Sequence, residues 1–88
     1  MKITYDGSKD AANQAKHAVS LALVVEMEWD SAVIWPDLRR DYGEQRMVCI
    51  GYIGLRLYHV TFVDRAMTRR IISLRKANLR EIRRYAET

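Results

Sequence analysis

Residues 47–74 read MVCIGYIGLRLYHVTFVDRAMTRRIISL, the pattern of three strands joined by two turns. Met47–Ile53 is almost wholly apolar, as a strand covered on both faces must be. Gly54 supplies the turn after it, and Leu57–Val63 returns antiparallel. Asp64–Met67 form the second turn, and the last strand runs from Thr68 or Arg69 to Leu74. Within Leu57–Val63 the even residues Tyr58, Val60 and Phe62 make an apolar face, leaving His59 and Thr61 on the other. The odd residues of the last strand are Arg69, Ile71, Ser73 and Arg75. Pairing with matching parity gathers His59, Thr61, Ser73 and the two arginines into an exposed cationic shelf, with the apolar face against helices. A one-residue slip would overturn that assignment.

Upstream of this block, Ile3–Tyr5 is a short strand ended by Asp6–Gly7. Ser8 is placed to cap a helix beginning at Lys9, rich in the helix formers Ala11, Ala12 and Ala15. Ser20 is a second cap, with Leu21, Val24 and Val25 spaced as a helical face. Ala32–Trp35 is a strand stopped by Pro36, and residues 37–44 are a polar loop. Downstream, Asn78 followed by Glu81 resembles a capping box opening a final helix. There Leu79, Ile82 and Ala86 fall at i, i+3 and i+7 as an inward face.

Charge is distributed unevenly. Residues 65–88 carry eight Lys/Arg against two acids, a net of +6; the first 64 carry seven against nine, a net of −2, for +4 overall. The basic end also holds Ile71, Ile72, Leu74, Leu79 and Ile82, so its guanidinium groups ride on ordered structure rather than on a polar tail. Fixed arginines grip phosphates in planar, bidentate fashion. A nucleic acid or an acidic protein is therefore the expected partner, and a solvated basic face is the alternative.

Eighty-eight residues, 49% of them apolar, make one domain over 1–88 with a core of modest size. The single cysteine, Cys49, has no internal partner and lies in an apolar run, as a buried strand thiol would. A lone cysteine, with no signal peptide and no long apolar stretch, fits a cytoplasmic protein without membrane contact. Two histidines and one cysteine are too few and too badly spaced for a metal site, so no metal or other cofactor is expected.

Taken together, certain residues resemble a known family. Tyr5–Asp6, Asn13, Lys16–His17, Val19–Ser20, Asp30, Glu44, Arg46, Ile50–Gly51 and Leu57 carry the resemblance, and Arg70–Ala77 (RIISLRKA) with Glu81 and Tyr85 is its most specific part. In their order and spacing they are similar to the BrnT-type toxins of bacterial type II toxin–antitoxin systems, within the RelE-like ribonuclease superfamily. The resemblance implies an α+β fold: a small antiparallel β-sheet with N-terminal helices and a C-terminal helix. It also implies ribonuclease activity that halts translation, neutralisation by a BrnA-like antitoxin, and contact with promoter DNA only through that antitoxin. Two departures stand out. Ala18 occupies a place usually held by glycine, which would strain the turn if the backbone needs a positive φ. The loop 37–45 also lacks the histidine often found there.

A ribonuclease that works without metal needs a base for the 2′-hydroxyl proton, cations for the phosphoryl oxygens and an acid for the leaving oxygen. Arg75, at the strand end beside the helix start, is the candidate for phosphate stabilisation, its alternative being a structural ion pair with Glu81. Arg46 and Arg70 would share the phosphate with it, and Arg69, Lys76 and Tyr85 would contact RNA nearby. Tyr85 reads equally as a core-edge aromatic. His17, Lys16 and Glu44 are the candidates for proton transfer; His59 also titrates in the useful range but lies outside the resemblance. A non-catalytic nucleic-acid-binding or protein-interaction module would use the same arginines and bind without cutting.

Overall fold

The computed structural model describes residues 1–39 and 41–88. Its sheet has five strands, β1 (Lys2–Tyr5), β2 (Val33–Pro36), β3 (Met47–Ile53), β4 (Arg56–Arg65) and β5 (Thr68–Lys76), in the order β1-β5-β4-β3-β2. Every pairing is antiparallel except β1 with β5. Two α-helices complete it, α1 (Gly7–His17) and α2 (Leu79–Ala86), with 3₁₀ helices at Leu21–Glu26 and Trp29–Ser31.

The central hairpins are longer than the sequence suggested. Arg65 pairs with Thr68, so the second turn shrinks to Ala66 and Met67, with Ala66 at φ 49. The last strand continues past Leu74 to Lys76, which brings Arg75 opposite His59. The turn at Gly54 is as expected, with φ 62. Asp6, not Ser8, caps α1: its carboxylate accepts the Ser8 N–H at 2.9 Å. The segment after Ser20 is a 3₁₀ helix and not an α-helix, in keeping with the β-branched Val24 and Val25 it must accommodate. Gly51 interrupts the apolar run of β3 because a Cβ there would lie 2.6 Å from Met27 Sδ and 2.9 Å from Ala32 Cβ.

A β-bulge between Thr61 and Phe62 divides β5 into two parities. On the Arg75 side of it, Ser73 and Arg75 share a face with Thr61 and His59. Beyond it, Ile71 pairs with Phe62 and Arg69 with Asp64, so both cross to the opposite face. The expected shelf therefore loses Arg69, which instead stacks over Trp29 and Phe62 at 4.5 and 4.2 Å. One face of the sheet carries the main core of Leu21, Val24, Cys49, Val60, Phe62, Ile71 and Leu74. Burial there pushes the Cys49 thiol up to about 12, leaving it protonated and inert. The other face is not an open shelf either, because α2 lies across it over a small cluster of Ile50, Leu57 and Ala77 with Trp35, Tyr52 and Tyr85.

That helix sits the other way round from the reading based on its apolar spacing. Leu79 is 61% and Ile82 38% exposed, while Glu81 and Tyr85 face the sheet. The Tyr85 ring meets Tyr52 edge-on at 5.6 Å and its hydroxyl donates to the Ser31 carbonyl at 3.1 Å. The capping box predicted from Asn78 and Glu81 is present, with both reciprocal hydrogen bonds at 2.9 Å.

Helix α1 is fastened to the sheet by one side chain. β1 covers β5 only as far as Ile71, and past that point the outer edge of β5 would be bare. The buried Asn13 amide closes it, donating to Leu74 O at 2.8 Å and accepting from Leu74 N at 3.1 Å, as a neighbouring strand would. It also donates to Val19 O at 2.9 Å. Asn13→Ala would leave the buried Leu74 amide without partners, and we expect a loss of about 3 kcal/mol, read as a lower urea midpoint at unchanged slope. Ala18, the C-cap of α1, is left-handed with φ 60 and ψ 30, the geometry glycine adopts freely. Ala18→Gly should raise stability by about 1 kcal/mol, a melting shift of about 5 °C by calorimetry.

Candidate active site

Three elements meet at the C-terminal end of β5. Arg75 leaves the strand on the α2 side, and its guanidinium makes a bidentate pair with Glu81, Nη1 to Oε1 at 2.8 Å and Nη2 to Oε2 at 2.9 Å. The ion pair considered as Arg75's structural alternative is thus the geometry seen. It is not sealed: the Arg75 side chain is 32% exposed. Its Nη1 also donates to the Lys76 carbonyl at 3.4 Å. Glu81 Oε1 also accepts the Asn78 N–H at 2.9 Å. Burial works to raise the Glu81 pKa, but its bonds to Arg75 and Asn78 outweigh that and hold the carboxyl below its ordinary value.

Helix α1 carries His17 toward the same corner, with Lys16 next to it in the last turn. Asn13 ties the helix to Leu74, and His17, one turn on from Asn13, follows along β5 toward Arg75. His17 is partly buried and feels the charges of Lys16 and Arg75, which together hold its pKa below the ordinary value of 6.5. It is therefore neutral near pH 7 and able to accept a proton. Lys16 is exposed, with its ammonium in no ion pair among the described residues.

On the other side of Arg75 stands His59, with Nε2 at 3.6 Å from Glu81 Oε2 and Nδ1 buried without a hydrogen-bond partner among the described residues. Burial first, then the Arg75 charge, lowers its pKa despite the Glu81 carboxylate. His59 opens into a cleft of about 360 Å³ between α2 and the segment that follows β2, lined by Trp35, Asp37, Arg39, Arg80, Glu81 and Arg84 among others. Within it the Arg84 guanidinium lies over the Trp35 ring at 3.7 Å. Asp37 is buried and gripped by Arg39 at 2.9 Å and the Tyr42 hydroxyl at 3.1 Å, which holds its carboxyl well below the usual range. Sequence reasoning singled out neither Arg80 nor Arg84 as a site residue. Their i, i+4 spacing on α2 was a usable signal, whereas the pairing of Arg84 with Trp35 was not visible before the chain folded.

The remaining candidates lie elsewhere. Glu44 pairs with Arg65 at 2.6 Å, and Arg65 is six strand residues beyond His59, about 20 Å away. Arg70 pairs across from Val63, four residues from the His59 row, and so lies about 13 Å from Arg75. Arg46, just ahead of Met47 at that same end, packs its guanidinium over Tyr42 at 4.1 Å. One phosphate cannot touch Arg46, Arg70 and Arg75 together. Arg69 is committed to Asp64 at 2.8 Å, and Tyr85 to anchoring α2. Lys76 adjoins Arg75 in sequence but points to the opposite face, beside Tyr58. Of the nine candidates, His17 is the one that feels the charge of Arg75, with Lys16 next to it on α1.

Comparison with known proteins bears on the family and the fold. The family described as "Ribonuclease toxin, BrnT, of type II toxin-antitoxin system" matches residues 5–81. The crystal structure of the Brucella abortus ribonuclease toxin BrnT is similar, with 29% identity and a TM-score of 0.69, over 89% of this chain and 97% of that one. No curated protein matches the chain. No helix among the described residues is long and apolar enough to cross a membrane. The matched span takes in Lys16, His17, Arg75 and Glu81, and the chain belongs to the BrnT family, the ribonuclease toxins of type II toxin–antitoxin systems.

Proposed function

We propose that this toxin cuts RNA without a metal ion, using Arg75, His17 and Lys16. The Arg75 guanidinium, held at the end of β5 by Glu81 of α2 and close enough to His17 of α1 for its charge to be felt there, is the observation that carries the reading. His17, neutral near pH 7, removes the 2′-hydroxyl proton as that oxygen bonds to phosphorus. The bond from phosphorus to the 5′-oxygen then breaks, leaving a 2′,3′-cyclic phosphate. Arg75 and Lys16 balance the charge building on the phosphoryl oxygens. Lys16 supplies the proton to the departing 5′-oxygen.

Glu81 shapes this chemistry by competing for Arg75. In the free protein its carboxylate occupies two of the guanidinium's donors, so a phosphate must share the arginine or displace the carboxylate. Arg70 and Arg46, about 13 Å along the sheet, lie too far away to hold the scissile phosphate and act on flanking RNA. The family membership implies an antitoxin; a BrnA-like protein covering the same basic corner would exclude RNA. A toxin with an RNA target and a partner of this kind acts in the cytoplasm.

Cleavage of labelled RNA by the purified chain in EDTA tests the reading. Arg75→Ala should lower the rate by at least about 100-fold, with RNA affinity reduced far less. Intact cutting by Arg75→Ala, or loss of wild-type cutting in EDTA, would refute the assignment. As the base, His17 must be unprotonated, and its pKa lies below 6.5. Activity should therefore persist as pH falls to 6.5 and decline below it. In His17→Gln the rate should drop about 100-fold and lose that acid limb.

A further inference from the structure

The cleft beside His59 plays no part in the reaction assigned to Arg75, His17 and Lys16, yet it is built for a ligand. One side of the Trp35 ring packs toward the Ile50, Leu57 and Ala77 cluster. The Arg84 guanidinium lies over the ring at 3.7 Å. Arg84 makes no ion pair among the described residues and extends from an exposed position on α2. Its contact with Trp35 is thus made by a flexible side chain over a fixed aromatic ring. Arg80, one turn earlier on α2, and Arg39 across the cleft add positive charge around that ring. Glu81 contributes to the cleft wall and also holds Arg75, so one carboxylate joins the cleft to the cleavage corner.

A flat aromatic surface ringed by arginines, next to a phosphate site, has the chemistry of a stacking platform for single-stranded nucleic acid. We propose that Trp35 binds an unpaired nucleobase of the RNA substrate next to the scissile phosphate, with Arg84 moving off the ring to meet the adjoining phosphate beside Arg80. Arg84 in the free protein keeps the indole covered with a delocalised planar cation, the group that a base replaces in kind. Trp35 thereby selects which nucleotide position is presented to Arg75. A duplex is excluded, because a paired base offers no free face for the indole. This subsite rests on the reading of Arg75, His17 and Lys16 as the reaction centre.

The test uses the full chain and a 2′-O-methyl oligoribonucleotide, which cannot undergo attack by its own 2′-oxygen. In a Trp29→Phe background, where Trp35 is the remaining tryptophan, binding should quench indole emission saturably. An abasic residue scanned along the oligonucleotide should weaken binding about tenfold at one position. Trp35→Ala should lose a similar factor and become indifferent to that abasic position, while Trp35→Phe retains the dependence. Equal abasic sensitivity in wild type and Trp35→Ala, or unchanged emission at saturation, would overturn the subsite. Cleavage of unmodified RNA in EDTA is followed in parallel. Cutting without the abasic coupling removes the subsite alone; the coupling without cutting supports the subsite and removes the reaction assignment.

Discussion

Glu81 draws bonds from two elements onto one carboxylate. Arg75 reaches it from the strand with two hydrogen bonds, and the Asn78 N–H reaches it from the helix start. Helix α2 buries none of its own residues fully, so it has little apolar packing to orient it. Its attitude comes instead from Glu81 at one end and the Tyr85 ring and hydroxyl at the other. With Glu81 turned inward, Leu79 and Ile82 turn out, and Arg80 and Arg84 are carried to the rim of the cleft. A single removed partner leaves a half-buried charge uncompensated, which is why such pairs orient structure more reliably than they stabilise it.

The division of labour between the arginines follows from the bulge. Without it, period-two alternation would set Arg69 beside Arg75, and the basic end of the chain would make one continuous phosphate-binding row. The extra residue in β5 sends Arg69 across to Trp29 and Phe62, where it closes the edge of the main core with Asp64 as its counter-ion. Arg75 is thereby the strand arginine left beside the two helices. The chain spends its other basic residues on packing and on the cleft. A high count of arginines is thus poor evidence for a large contact area with RNA; their partners decide.

In the proposed mechanism, the same corner holds the chemistry in check. Arg75 in the free state already carries an intramolecular carboxylate, and Trp35 already carries a guanidinium. Both covers have the charge or planarity of what they await, so substrate exchanges one interaction for a similar one rather than filling an unsolvated hole. Exchange of this kind costs little and depends on local geometry, the setting in which electrostatic preorganisation is most effective.

Much of the architecture was legible in the residues themselves. The apolar run of β3, the alternation in β4, glycine at residue 54 and the Asn78–Glu81 capping box depend on neighbours close in sequence, and the structure bears them out. Arg75, Lys16 and His17 were legible as candidates through their chemical type and their resemblance to a family pattern. What only the tertiary structure decided depends on contacts between distant residues. The bulge moved Arg69 away, the parallel pairing of β1 left an edge for Asn13 to close, and the Arg75 pair turned α2 over. Glu44 was a candidate for proton transfer by type, in a loop whose place the sequence leaves open, and strand length carried it to the far end. The Arg84 cover on Trp35 joins residues 49 positions apart. No local periodicity encodes it, because the helix phase that produces it is set by Glu81 meeting a strand.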